Sequence, residues 1–379
     1  MVDGPEDGML SWDESVFRDE HVFEIDHVPE TFHHRETQMQ QLQYALRPAV
    51  RGSRPLNVLS QGPPGTGKTT AIQKLFDELA MQSGVRTVHV NCQVHGTRYA
   101  VFSQLFEAIF EYEPPSSGIS FKKLFRQVAE KLVDDDETLV VALDDVNYLY
   151  YEGEASDALY SLLRAHEDQP GVRIGVIIVS SDPALDPIEE LDGRVQSVFR
   201  PEEVYFPVYD KPEILDILRE RVRRGFHEGA VPTETLDQAA ERTAESGDLR
   251  VGIDLLRRAG LNAEMRASRE VSVDDVEDAY EAAKYVHLSR SLRTLSESEQ
   301  ALVEVLVEHS GERAGDVYEA FHERTDLGYT RYSEIVNKLD QLDVIDATYT
   351  PVEGRGRSRE LTLAWDPEAV RNRLDWKGE

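Results

Sequence analysis

The spacing of apolar positions changes from stretch to stretch along the chain, and each change marks a different kind of element. Leu56, Val58 and Leu59 form a short apolar run that reads as a buried strand. After a break at residues 62–68, Ala71, Ile72, Leu75, Phe76 and Leu79 recur at helical spacing. Further apolar runs at residues 86–91, 138–143, 172–179 and 203–206 read as strands, with helical segments at 99–112 and 120–132 between the second and third. Five strands alternating with helices predict an α/β fold with a parallel, doubly wound five-stranded sheet, whose ligand belongs at the carboxyl ends of the strands. From Lys211 to about Tyr285 the period is helical throughout. Helices are expected at 213–223, 232–245 and 249–259, and a last one is opened by Ser272 in an S-x-x-D start.

From about Ser291 the rhythm changes again. Ser296-Glu297-Ser298-Glu299 reads as a capping box opening a helix with Ala301, Leu302, Val305 and Leu306 on one face. A helix at 314–323 follows, and another begins at Thr330 with Ile335, Leu339 and Leu342 inward and Arg331, Asn337 and Lys338 outward. Two β-like runs, 344–350 and 360–365, flank a tip containing Gly354, Arg355, Gly356, Arg357 and Arg359. Three helices and a hairpin describe a winged helix. The expected domains are a disordered acidic segment 1–20, a nucleotide-binding domain 21–210, a helical lid 211–290 and a winged-helix domain 291–379.

The break after the first strand carries the chemistry. Gly62-Pro63-Pro64-Gly65-Thr66-Gly67-Lys68-Thr69 is G-x-x-x-x-G-K-[ST] between a strand and a helix. Glycines let successive backbone N–H groups wrap an anion at the helix N-terminus. Lys68 is placed to reach the β/γ oxygens, and the Thr69 hydroxyl to ligate Mg²⁺. The third strand ends in Asp144-Asp145, where Asp144 is expected in the Mg²⁺ shell and Asp145 beside the attacking water. The expected ligands are ATP or ADP with Mg²⁺.

Charge alters the picture of the surroundings. Asp plus Glu number 72 against 41 Lys plus Arg, a net −31 spread along the whole chain, with most cations being Arg. Such a surface suits multimolar salt, where the Debye length is about 3 Å and self-repulsion is screened. A halophilic source is therefore expected, and circular dichroism should show the fold lost on dilution into low salt; full stability there would contradict it. No apolar run reaches the roughly 18 residues of a membrane span, and the acidic start does not resemble a secretory leader. A single cysteine, Cys92, excludes an internal disulfide framework and a Cys-based zinc site. A cytoplasmic, nucleoid-associated protein is expected. Against this acidic background the Arg355, Arg357 and Arg359 cluster stands out. Arg suits phosphate and groove contact, and the helix from Thr330 offers Arg331 and Asn337 for base edges. DNA contact is expected there.

Taken together, Val28-Pro29-Glu30 with His34-Arg35-Glu36, GPPGTGKT, Val90-Asn91-Cys92, Pro115-Ser-Ser-Gly118, Arg194-Val-Gln-Ser197, Phe206-Pro-Val-Tyr209, Gly247-Asp-Leu-Arg250 and Gly354-Arg-Gly-Arg357 are highly specific. Over residues 17 to about 374 the chain resembles the archaeal origin-recognition and cell-division-control initiators, AAA+ ATPases that mark replication origins. The resemblance implies that Gly65, Thr66, Gly67, Lys68, Thr69 and Thr70 bind the phosphates and that the segment His33-His34-Arg35-Glu36 lies over the adenine, with His34 and Arg35 as its contacts. It also implies that Tyr209 and Arg221 contact the nucleotide between base and lid. Ser181 resembles sensor 1, Arg250 sensor 2, and Arg194 an arginine that stabilises γ-phosphate charge in cis or from a neighbour. The helix pair between Tyr99 and Leu132 looks like an initiator-specific insertion touching DNA beside the wing, through Lys122, Lys123 and Arg126.

The implied partners are double-stranded origin DNA, a replicative helicase of the minichromosome-maintenance type and paralogous initiators. Two positions depart from the family's commoner pattern: Asp145 stands where Glu is commoner, and Ser181 where Asn is. Both changes fall on hydrolysis, so weak ATPase activity is expected, with the nucleotide marking a conformational state. Two alternatives stay open. One is a clamp-loader-like ATPase without origin-specific DNA binding; the other is a regulator whose winged helix contacts protein partners only.

Overall fold

Strands β1 (Val58–Gln61), β2 (Val85–Asn91), β3 (Thr138–Asp144), β4 (Arg173–Ser180) and β5 (Glu202–Tyr205) form one parallel sheet in the order β2-β3-β4-β1-β5. The computed structural model describes residues 15–24, 27–82, 84–115, 120–182, 185–341, 344–351 and 357–374. These fall into two units, Met1–Val276 and Glu277–Glu379. Every residue of β3 is buried, which explains why its sequence is continuously apolar: a central parallel strand is covered on both faces. Its side chains alternate between two cores. Val140 and Ala142 pack with α1 (Glu36–Val50) and α2 (Lys68–Ala80). Leu139, Val141 and Leu143 pack with α3 (Arg98–Phe110) and α4 (Phe121–Asp134). Three short helices, α5 (Asn147–Tyr151), α6 (Ala155–Leu163) and α7 (Ala165–Asp168), precede β4, and α8 (Gly193–Gln196) precedes β5. Leu56, expected at the start of the first strand, is exposed; the strand begins at Val58.

The lid helices are α9 (Lys211–Gly225), α10 (Thr233–Ser246), α11 (Leu249–Met265) and α12 (Val273–Thr294). Asp210 and Glu213 form a reciprocal capping box that starts α9. Gly247, in the left-handed conformation at φ 68°, stops α10, and the Asp248 carboxylate accepts from the Arg250 N–H to open α11. α11 runs past the expected end at residue 259, because Gly260 is there for packing. A Cβ at Gly260 would meet the Phe17 ring at 2.3 Å.

That ring belongs to a segment expected to be structureless. Val16, Phe17, Val22 and Phe23 are buried in the lid core, and residues Glu20–Phe23 form a 3₁₀ turn. Phe17 stacks on Phe226 with centroids 4.7 Å apart, and Phe23 meets Phe226 edge-on at 5.1 Å. Residues 15–20 are therefore structured, although they fall within the segment 1–20 expected to be disordered. The boundary between the units falls inside α12 rather than at residue 290.

In the second unit, α13 (Glu297–His309), α14 (Ala314–Thr325) and α15 (Tyr329–Gln341) pack with a three-stranded antiparallel sheet. Its order is β6 (Glu312–Arg313), β8 (Arg357–Leu363), β7 (Ile345–Pro351). Leu302, Leu306, Phe321, Ile335, Leu339 and Leu361 lie in its core. The expected capping box is present at Ser296 and Glu299, and Lys338 on α15 donates to both Glu299 carboxylate oxygens at 2.9 Å. Lys338, read as outward-facing, thus ties the third helix to the first. A further helix, α16 (Pro367–Leu374), buries Val370 in the same core. The architecture is the expected winged helix. Among the described residues, no helix is long and apolar enough to cross a membrane.

Candidate functional site

β1 delivers the chain into a loop whose carbonyls are already engaged. The Thr66 hydroxyl donates to the Pro63 carbonyl at 2.8 Å, and Lys68 Nζ donates to those of Gly62 and Pro63 at 2.7 Å each. Gly67 caps α2 at φ 92°. The loop lines a cavity of about 410 Å³ together with Thr69, Thr70, Ser181, Tyr209, Arg221 and Arg250, a size suited to a cofactor-sized ligand. Ten sequence-selected phosphate, sensor and lid positions therefore line one cleft.

Burial draws the Lys68 ammonium from an ordinary 10.5 down to about 8, with Asp144 opposing and Arg250 adding to the fall. Its folded pKa is depressed, so between about pH 8 and 10.5 the folded chain holds fewer protons than the unfolded one. This group's contribution to stability therefore rises with pH across that window. A bound triphosphate restores the charge. Calorimetry of ATP binding at pH 8–9, run in buffers of different ionisation enthalpy, should show proton uptake; no uptake would contradict it.

At the end of β3, Asp144 Oδ2 accepts from Thr69 Oγ1 at 2.8 Å and from His89 Nε2 at 2.9 Å, while Oδ1 accepts from the Asp145 N–H at 3.0 Å. Burial alone would raise its pKa, but the bonds from His89, Thr69 and the Asp145 backbone hold it below the ordinary carboxylate range. Asp145 differs. Burial and then the Asp144 charge raise its pKa, and the Ser181 hydroxyl hydrogen-bonds its side chain. Its backbone sits at φ 50°, a region that Asp tolerates better than most residues. One carboxylate is thus kept ionised and its neighbour is made more basic, a division suited to cation binding and proton acceptance. Thr69 and Asp144 supply hard oxygen donors only. Among the described residues no cluster of three or more His, Cys, Asp or Glu could hold a metal. That pattern fits Mg²⁺, which takes one or two protein oxygens and completes its shell with phosphates and water.

Three residues sit differently from their expected places. His34, at φ 60°, turns its ring toward Glu213 and Asp216 of α9, at 3.9 and 3.6 Å, and the neighbouring His33 lines the cavity instead. Arg35 is 1% exposed, and its guanidinium donates to three carbonyls: Thr66 at 3.0 Å, His34 at 2.8 Å and Pro207 at 2.6 Å. It also stacks on the Tyr209 ring, 3.5 Å from its centroid. Arg35 braces the loop from behind rather than covering a base. Arg194 is exposed, bonded to Asp157 at 2.6 Å and Asp192 at 3.0 Å, and is absent from the cavity lining. It does not reach this chain's own site.

Sequence reading also missed contributors whose role comes from tertiary placement. Phe23 and Phe32 wall the cavity, Asp248 lies over Gly65, and His89 bonds Asp144. Arg221, expected to contact the nucleotide, lines the cavity. It is buried, donates to the Val22 carbonyl at 2.6 Å, and is pushed down to about 10 by burial and Arg224.

The candidate nucleic-acid residues are more dispersed. On α4, Lys122, Lys123 and Arg126 are exposed, with Arg126 3.7 Å from Glu130. On α15, Arg331 pairs with Glu334 at 3.0 Å, and Asn337 Oδ1 accepts from Arg359 Nη1 at 2.7 Å, joining that helix to β8. Arg355 and the side chain of Arg357 lie outside the described residues.

Residues 31–179 match the AAA ATPase domain family, and residues 215–281 match the Cdc6 AAA+ ATPase-type lid domain. The chain is 72% identical over 375 residues to ORC1-type DNA replication protein 3 of Haloarcula marismortui, covering 99% of this chain and 100% of that protein. It is 70% identical over 374 residues to ORC1-type DNA replication protein 6 of Halobacterium salinarum, with 99% and 100% covered. Among solved structures it is similar to the Aeropyrum pernix ORC1 protein in complex with DNA. The TM-score is 0.78 at 27% identity, over 96% of this chain and 98% of that one. With such identity sustained from end to end and both its ATPase and lid segments matched, the chain belongs to the ORC1-type family of DNA replication proteins.

Proposed function

We propose that this chain is an ATP-dependent replication initiator. It binds double-stranded origin DNA, carries ATP or ADP as a state marker, and helps to recruit a replicative helicase of the minichromosome-maintenance type. One observation carries the reading. A cavity lined by phosphate-loop and lid residues shares a chain with a winged-helix unit, and a solved relative with which it aligns over nearly its whole length is a DNA complex. In this reading Lys68 and Arg250 offset phosphate charge, and Thr69 and Asp144 would hold Mg²⁺, which would supply neutralisation of the triphosphate charge. Asp145 accepts the proton of the attacking water, and Ser181 orients Asp145. Arg194 acts on the site of a neighbouring initiator, its own copy or a paralogue. The protein works in the cytoplasm at the nucleoid, in the high-salt interior that its charge suits.

Salt shapes how DNA is held. Non-specific affinity falls with a log–log slope of about 0.9 per neutralised phosphate, so in molar salt the phosphate contribution largely disappears. Recognition then depends on base contacts and DNA shape. Arg359→Ala, Arg355→Ala and Arg357→Ala should each relax sequence selectivity as well as affinity; equal weakening on origin and random duplexes would count against this. The test of the whole reading is a nuclease footprint on a repeat-containing intergenic duplex, with and without ATP. Protection of the repeats that changes with nucleotide supports it. Binding indifferent to sequence sinks it.

A further inference from the structure

We propose that His89 is a positioning residue for the metal–nucleotide site: from the neighbouring strand it fixes the Asp144 carboxylate so that Thr69 presents its oxygen to the cation. This rests on the reading of the cavity as an ATP·Mg²⁺ site.

The geometry is specific. In the parallel pairing of β2 with β3, His89 lies opposite Ala142, two residues before Asp144 and on the same face of the sheet. Its ring extends along the strand direction to the end of β3, where Nε2 lies 2.9 Å from Asp144 Oδ2. That same oxygen receives the Thr69 hydroxyl proton at 2.8 Å. An ionised carboxylate accepts only, so His89 is the donor and Nε2 carries hydrogen. The consequence concerns lone pairs. A threonine hydroxyl that gives its proton to Asp144 has its oxygen lone pairs free for a cation, and it can do so only while Oδ2 stays where it is.

Among the described residues three donors hold the Asp144 carboxylate: the Asp145 N–H on Oδ1, and Thr69 and His89 on Oδ2. His89 is the one that neither belongs to the adjacent peptide nor is itself a metal ligand. Removing it leaves the carboxylate with a hinge rather than a clamp. The neighbouring residues show that the placement is not a by-product of core packing. Val88 and Val90 point into the core on the opposite face, while the His89 side chain is 29% exposed. Outer partners of this kind commonly change metal affinity by about 10–100-fold when removed.

The test compares ADP affinity in excess Mg²⁺ with that in EDTA, using displacement of a fluorescent nucleotide from the full chain. The ratio reports how strongly metal and nucleotide bind together, without reference to hydrolysis. His89→Ala should lower the ratio by about 10–100-fold while affinity in EDTA stays within about twofold of wild type. His89→Gln, which returns a donor of similar reach, should restore most of it. His89→Asn, polar but too short to reach Oδ2, should behave like His89→Ala and carries the test if the alanine variant does not fold. An unchanged ratio in His89→Ala or His89→Asn overturns the proposal, as does a parallel loss of affinity in Mg²⁺ and EDTA. If wild type itself binds ADP no better with Mg²⁺ than with EDTA, the metal reading fails and the role of His89 fails with it.

Discussion

Asp145→Glu should speed single-turnover ATP hydrolysis by on the order of a hundredfold. The Asp145 carboxyl has the basicity for the task, since burial and Asp144 raise its pKa, but its side chain is one methylene short of the commoner glutamate. A shift of about 1 Å in a group that positions water can change a rate roughly a hundredfold. The substitution has a cost that the backbone makes explicit. Residue 145 sits at φ 50°, which glutamate adopts less readily than aspartate, so the variant should lose up to about 1 kcal/mol of stability. Faster and slightly less stable is the expected signature in quench-flow and urea unfolding. Equal single-turnover rates for wild type and Asp145→Glu would refute the view that nucleotide is held more than spent.

Arg35→Met should cost about 3–5 kcal/mol and weaken ATP binding with it. The Arg35 guanidinium is a buried charge, its pKa lowered by that burial, and it is tolerated because its fork is filled by the carbonyls of His34, Thr66 and Pro207. Hydrogen bonds to a charged group contribute about 1.5–3 kcal/mol each, and orphaned acceptors add a desolvation cost. Methionine recovers the desolvation of the charge and part of the packing on Tyr209, which is why the net falls below the sum. Arg35→Lys keeps the charge without the planar fork and should fall between. Urea midpoints and nucleotide titration read both effects; a loss below about 1 kcal/mol would mean the brace is redundant.

The contrast between these two residues shows what the sequence can and cannot reveal. The place of Asp145 is legible because it is local: it follows an apolar strand at a set distance from a glycine-rich loop, and both features are visible as spacing. The same locality made the five strands, the lid helices and the winged helix readable, since apolar period and caps are properties of neighbouring residues. Arg35 was noticed but given the wrong task, because nothing adjacent says that three carbonyls close around it. His89 looked like an ordinary strand residue, its partner being 55 positions away in sequence. Arg194 carried a family role that says nothing about whose nucleotide it faces. The Val16-Phe17 and Val22-Phe23 pairs showed no periodicity, because each residue docks on helices made elsewhere.

That docking bears on the order in which the molecule is made. The bond from Arg221 to the Val22 carbonyl joins positions 199 residues apart, so the segment 16–23, made before α9 and α11, has no seat until they have followed. Closing so long a loop carries an entropic cost that grows with the logarithm of its length, and contacts of this span form late. A piece made before the sheet is therefore placed after it. Because Phe23 is also a wall of the nucleotide cavity, a nascent chain can complete its phosphate loop long before it has a finished pocket for the base.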